Sequence, residues 1–438
     1  MDSTINSNRS KSDWGNLSLF RLGAFGFGMT GFFLAMDTII LPTLVLEVAP
    51  EGAKNTLLGA LGFGGLLVAA LVQPIIGWYS DRTRTPLGRR VPFMLWSTAL
   101  VCLGLAGLAL DPNPGPLSLL IIWIFMQANA SIGYGPFQAV IRDLVPVHRI
   151  GIASSIKILS DAGGGVVLVA VSGFLIGQYT GAESVQWLWL TLGVIGITLI
   201  LSNLISSTTL VTRERAAGLT RHSSQGHQWI APSLHPQLSW FLVSRFLFVT
   251  SIFIFPTYGL FFLRDVVEVE NPAQTLGTMI LAIGGSLALS VYPAGWVSDK
   301  VGRKPVVMAG AVGAAIGTIA ILWASNVTEV LIIASAIGAS VGVLLSSNWA
   351  LANELGTAGR EGQHMGIVTL ASVVGAATSK ALGPGVDLLN LAASGSGYTA
   401  LIVGSATAFV LGALLLLPLK AAAPLSPSTE DTPHQATS

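Results

Sequence analysis

Apolar residues fall in long blocks along this chain, with few charges inside them and no period-two alternation. A helix crossing a hydrocarbon core of about 30 Å needs roughly 20 such residues. By that ruler the pattern predicts twelve spanning helices, at about 17–45, 53–79, 91–110, 117–141, 151–177, 184–207, 237–262, 274–297, 305–325, 328–352, 363–388 and 397–419. The breaks between blocks carry turn chemistry, such as DPNPGP at 111–116 and GSG at 395–397. A membrane β-barrel would need short alternating segments instead.

Composition agrees with the pattern. The chain is 52% hydrophobic and 10% charged, with mean hydropathy +0.71, whereas soluble domains carry roughly 25% charged residues. The reading is an all-α polytopic membrane protein. Cys102 is the single cysteine, which rules out an internal disulfide and argues against a thiolate metal cluster. No H-E-x-x-H or G-K-[ST] motif occurs, and the G-x-S-x-G match at 338–342 lies inside an apolar block with no strand before it, so neither an intramembrane enzyme nor an ATP-driven pump finds support. No cofactor, metal or nucleic acid enters the reading.

The placement of charge sets an orientation. With both termini on one side, seventeen Lys and Arg lie on that side's loops and tails, against Lys54 and Arg264 on the other. Such an excess marks the cytoplasmic side. The expected organisation is a cytoplasmic tail at 1–16, a six-helix bundle at 17–207, a cytoplasmic linker at 208–236, a second bundle at 237–419 and a structureless cytoplasmic tail at 420–438. The chain is read as a monomer in the plasma membrane.

Two loops share a pattern. GWYSDRTRTPLGRR (77–90) follows span two and GWVSDKVGRK (295–304) follows span eight. Asp143, Arg149 and Gly151 after span four are matched, at the same spacing, by Glu354, Arg360 and Gly362 after span ten. Weak symmetry between two six-span halves is the mark of transporters built from repeats.

These residues resemble the major facilitator superfamily, whose loop signature G-x-x-x-D-R/K-x-G-R-R/K is met in full by Gly295, Asp299, Lys300, Gly302, Arg303 and Lys304. The first copy keeps Gly77, Asp81, Arg82, Gly88, Arg89 and Arg90 with four extra residues. That lengthened form and RDLVP at 142–146 are similar to the glycoside–pentoside–hexuronide and sucrose/proton symporters. The resemblance implies two pseudo-symmetric six-helix bundles, alternating access and cation-coupled sugar transport. Buried carboxylates and an Arg in the first half serve those symporters. Span four here carries no such carboxylate, because Asp143 lies at its cytoplasmic end.

The loop motifs make sense as a cytoplasmic gate. Asp81 and Asp299 lie at helix C-termini, where the dipole disfavours an anion, so each calls for a cationic partner. Networks of these groups with Arg89, Arg303 and their neighbours would hold the halves together on that side. The plainer reading makes them topology signals and local staples.

An ionisable side chain inside a span costs about 2.5–3.5 kcal/mol on insertion scales and needs a reason. Lys157 and Asp161 share a helix face four residues apart; they form either a structural pair or a coupling group for H⁺ or Na⁺. Asp37, on the face of Thr30 and Phe33, is the alternative coupling carboxylate. Arg245 either binds an anionic substrate, pairs with a carboxylate across the halves or, as its shallow depth favours, snorkels to the cytoplasmic interface; Asp387 is close enough to the outer surface to reach water. Lys380 lies deep in span eleven.

Span four presents Gln127, Ser131, Tyr134 and Gln138 on one side. Gln73, Tyr258, Asn348, Trp349 and Lys380 extend a lining suited to hydroxyls and an apolar sugar face. The expected function is alternating-access transport of a small hydroxylated solute, a glycoside or oligosaccharide, coupled to H⁺ or Na⁺ across the bilayer. The rivals are an efflux carrier for amphipathic compounds or drugs, and a non-transporting membrane factor of the same fold.

Overall fold

A computed structural model of the protein describes residues 15–50, 52–83, 85–111, 114–146, 149–179, 184–216, 236–355 and 361–419. Among the described residues, twelve helices are long and apolar enough to span a membrane. We number them α1 (Asn16–Val48), α2 (Lys54–Arg82), α3 (Val91–Leu110), α4 (Pro116–Ile141), α5 (Ile150–Ile176), α6 (Val185–Glu214), α7 (Pro236–Asp265), α8 (Pro272–Val301), α9 (Arg303–Trp323), α10 (Val327–Glu354), α11 (His364–Ala392) and α12 (Ser396–Leu414). Most of the expected linker, residues 1–14 of the first expected tail, the whole of the second, Arg84 and Arg360 lie outside the described residues.

Within the first six helices, α1 packs on α5 and α6, α4 on α2 and α3, and α3 on α6. The second six repeat this plan, with α7 on α11 and α12, α10 on α8 and α9, and α9 on α12. The halves meet chiefly where α5 crosses α8 and where α2 crosses α11. Glycine permits both crossings. A Cβ on Gly59 of α2 would stand 2.4 Å from the Lys380 carbonyl oxygen, and one on Gly277 of α8 would stand 3.2 Å from that of Val169. Gly59 and Gly277 are 218 residues apart, as are Gly77 and Gly295; Val169 and Lys380 are 211 apart, as are Asp143 and Glu354. The two contacts are therefore one contact, repeated by the internal symmetry.

Local chemistry explains where helices bend. Pro42 has no N–H, so the Thr38 carbonyl loses its helical partner and the ladder shifts. The backbone of Met36–Ile40 takes up a π turn, with Leu41 N–H donating to the Met36 carbonyl. Asp37 sits in that turn, and such turns often mark functional positions. Helix α11 breaks as well, between Ala381 and Gly383, next to Lys380 and ahead of Pro384. Helix six continues to Ala216, beyond the end expected at 207. Its polar extension is eased by hydroxyls that bond back into the helix, such as Thr212 to the Thr208 carbonyl at 2.8 Å.

Candidate transport pathway and its two gates

The bundle has a motif face, carrying the loops after α2, α4, α8 and α10, and an opposite face. Loop conformation on the motif face depends on Gly88 and Gly302, at φ +101° and +99°, values that a side chain with a Cβ rarely adopts. Gly88 brings the Arg89 amide to the Glu214 carboxylate at 2.8 Å. Arg90, 3% exposed, is the hub of the first network. It pairs with Asp81 at 2.8 Å and Asp143 at 2.6 Å and donates to Ser80. Arg89 reaches Asp143 at 2.9 Å.

The second copy is simpler. Arg303 pairs with Glu354 at 2.9 Å and donates to the Ala350 carbonyl, while Lys304 donates to the carbonyls of Leu417 and Leu419. Lys300 lies over Trp296 and Arg82 over Trp78. Asp299 is exposed and has no ion pair among the described residues. Each of these ion pairs staples its own half, and none of them bridges the halves in this conformer. Around Gly77 and Gly295 there is open space.

The contacts that do bridge the halves lie toward the opposite face. Helix α2 begins after Ala53, which offers no side-chain cap, and Asp387 of α11 caps it from the other half. Asp387 accepts from Asn55 Nδ2 at 2.7 Å, from the Thr56 amide at 2.6 Å and from the Thr56 hydroxyl at 2.7 Å. A carboxylate at a helix N-terminus also meets the positive end of the dipole. Tyr398 receives a bond from Asn55 and donates to Asp265, which pairs with Lys54. Asp387 is only 6% exposed, so it does not reach out to water; the α2 N-terminus takes the place of solvent. These contacts latch the two halves together at this face.

This latch was missed in the sequence, although an uncapped helix start at Ala53-Lys54-Asn55 was a visible sign. Replacing Asp387 with Asn removes the charge and leaves several α2 donors underused. That change is expected to cost about 1–3 kcal/mol, read as a lowered unfolding temperature in detergent.

Deeper in, Lys380 and Asp37 form an ion pair across the halves at 2.9 Å, with side chains 5% and 28% exposed. Lys380 ends the first segment of α11, where the helix dipole favours a cation. Gly62 makes room for it, since a Cβ there would lie 2.6 Å from Lys380 Cδ. Lys157 and Asp161 pair at 2.6 Å on one helix. Tyr134 donates to Asp161 at 3.4 Å, and Lys157 lies over the rings of Tyr134 and Phe137.

The span-four stripe divides. Gln127 and Ser131 are buried between helices, and a Cβ on Gly65 of α2 would touch Gln127 at 3.3 Å. Tyr134 stands beside Asp161, and Gln138 is exposed toward the motif face. Gln73 packs its backbone against Gly135. Tyr258 donates to the Lys380 carbonyl at 2.8 Å and is buried, joining α7 to α11. Arg245 does not snorkel. It is 4% exposed, donates to Ser372 and Asn348 and lies 4.2 Å from the Trp349 ring centroid.

A profile described as MFS/sugar transport protein matches residues 19–421. YwtG of Bacillus subtilis strain 168, named for metabolite transport, is 25% identical over 338 residues, 69% of each chain. The sucrose transport protein SUT1 of Oryza sativa subsp. japonica is 26% identical over 137 residues, 26% of this chain and 25% of its own. The inward open conformation of the E. coli xylose transporter XylE superposes with a TM-score of 0.71 at 16% identity, covering 94% of this chain and 98% of that one. At that identity the superposition establishes the fold alone.

Proposed function

We propose that this chain, which belongs to the MFS/sugar transport protein family, carries a small hydroxylated solute together with H⁺ or Na⁺. It is an integral membrane protein and a secondary transporter, not an enzyme. Our reading places the motif face in the cytoplasm, following the charge bias of the loops, so the conformer described is open inward and latched outward.

One observation carries the reading: the Asp37–Lys380 pair joins the halves. The Lys157–Asp161 pair lies within one helix and need not change when the halves rock. Asp37 can neutralise Lys380 or take up a cation, and one carboxylate does not do both at full strength. Cation binding at Asp37 therefore competes with closure of the outer side, which is the linkage a coupled carrier needs. Asp161 and Tyr134 then belong to the solute lining. On the cytoplasmic side, the open space at Gly77 and Gly295, and Asp299, which has no ion pair among the described residues, are available for the motif loops to close upon.

The test is uptake of a panel of labelled sugars and amphipathic dyes into proteoliposomes, under an imposed pH or Na⁺ gradient. Accumulation of at least one sugar under one gradient is the expected result. Dye movement with no sugar accumulation would support the efflux reading instead, and movement of neither would support the non-transporting one.

A further inference from the structure

Away from both faces, the charged groups inside the bundle among the described residues are the buried Arg245 and Lys380 and the partly buried Asp37, Lys157 and Asp161. Two carboxylates thus meet three cations. Lys157 and Lys380 take the carboxylates, at 2.6 and 2.9 Å. Arg245 keeps only neutral partners: Ser372 Oγ at 2.8 Å, Asn348 Oδ1 and the Trp349 ring. Burying a charge without a counter-charge is costly, so its retention here calls for an anion that arrives.

The neighbouring amide adds a second, independent sign. Asn348 is 1% exposed and spends its oxygen on Arg245. Its Nδ2 is buried without an acceptor. Arg245 and Asn348 therefore present adjacent donors that lack an acceptor, the arrangement a carboxylate satisfies with its two oxygens.

The repeat shows that the first half lacks this cation. A Cβ on Gly164 would meet the Phe27 carbonyl oxygen at 1.9 Å, and one on Gly375 would meet that of Phe246 at 2.8 Å. Gly164 and Gly375 are 211 residues apart, as are Asp161 and Ser372. Gly26, before Phe27, abuts the Asp161 carboxylate; Arg245, before Phe246, holds Ser372. One position thus carries Gly beside a carboxylate in one half and Arg beside a hydroxyl in the other. Asp161 does not supply the missing charge, because it already neutralises Lys157 in the other half.

We propose that Arg245 and Asn348 form a subsite for one carboxylate of the cargo. This deepens the solute-carrier reading and rests on it: the cargo is a monoanionic polyol, of the sugar-acid class. Trp349, 41% exposed, shields Arg245 with one part of its ring and offers the rest to the apolar side of the solute.

The experiment uses the full chain in proteoliposomes and two matched pairs of probes, glucuronate with glucose and gluconate with sorbitol. Wild-type protein is expected to take up the acids at least about tenfold better than their neutral partners. Arg245→Gln is expected to abolish that preference. Asn348→Asp serves as the second variant, because it supplies Arg245 with an internal counter-charge and so spares folding; it is expected to abolish the preference, read as the ratio of acid to neutral uptake in the same vesicles. Equal uptake of acid and neutral probes by wild type overturns the proposal while the solute reading stands. So does an equal loss of both kinds of uptake in both variants, which would mark Arg245 as a structural or inter-half group. Uptake of none of the four probes by wild type overturns both readings.

Discussion

Asp37→Asn is expected to abolish accumulation of solute against its gradient. The substitution is nearly isosteric, so the π turn and its packing should survive. What disappears is the negative charge facing Lys380, which is 5% exposed and would be left as an uncompensated buried cation. Breaking such a pair costs about 3–5 kcal/mol, enough to shift a two-state equilibrium by a factor of a hundred or more, on the order of tenfold for each 1.4 kcal/mol. The expected phenotype is loss of gradient-driven uptake, with downhill exchange reduced far less. Lys380→Gln in the Asp37→Asn background removes the stranded cation and is expected to recover part of the lost stability. Initial rates of driven uptake and of counterflow, measured on the same proteoliposomes, separate the two effects. Asp161→Asn is expected to weaken solute uptake and counterflow together, because Lys157–Asp161 lies within one half.

The second large effect is expected at the motif face. Arg90 is 3% exposed and compensates both Asp81 and Asp143. Arg90→Ala leaves these carboxylates short of a cation and is expected to cost about 3–5 kcal/mol. Arg89→Ala removes a pair whose cation is a third exposed and is expected to cost no more than about 1 kcal/mol. Thermal unfolding of the three proteins in one detergent tests the contrast. Similar losses for both variants would contradict the assignment of Arg90 as hub. Nothing in the loop signature distinguishes these neighbours, since GRR reads as two equivalent arginines. Their difference comes from the turn at Gly88, which sends one inward and leaves the other at the rim.

The same limit separates what was legible in the sequence from what was not. Length and continuity of the apolar blocks fix the number of spanning helices, because a bilayer imposes one ruler on all of them. Repeat spacing likewise announced two related halves, since Asp143 and Glu354 keep their distances to the next Arg and Gly. Partnership across the halves was harder to see. Asp37 and Lys380 are 343 residues apart, and no local pattern ties them together. Lys157 and Asp161, four apart, advertised a pair that is real but local. The span-four stripe shows how periodicity overreaches: one helix side can face a neighbouring helix at Gln127 and open space at Gln138. Depth favours snorkelling for Arg245, whereas its position follows from Ser372 and Asn348 on two other helices.

The central claim is that the Asp37–Lys380 pair holds the outer side closed and yields to the coupling cation. Spin labels at Thr85→Cys and Lys300→Cys, in a Cys102→Ser background, report the separation of the two motif loops. With cation withheld, the wild-type distance should be long; H⁺ or Na⁺ with solute should shorten it. Asp37→Asn should populate the short distance whether or not cation is present. If Asp37→Asn keeps both the long resting distance and the full response to cation, the account is wrong.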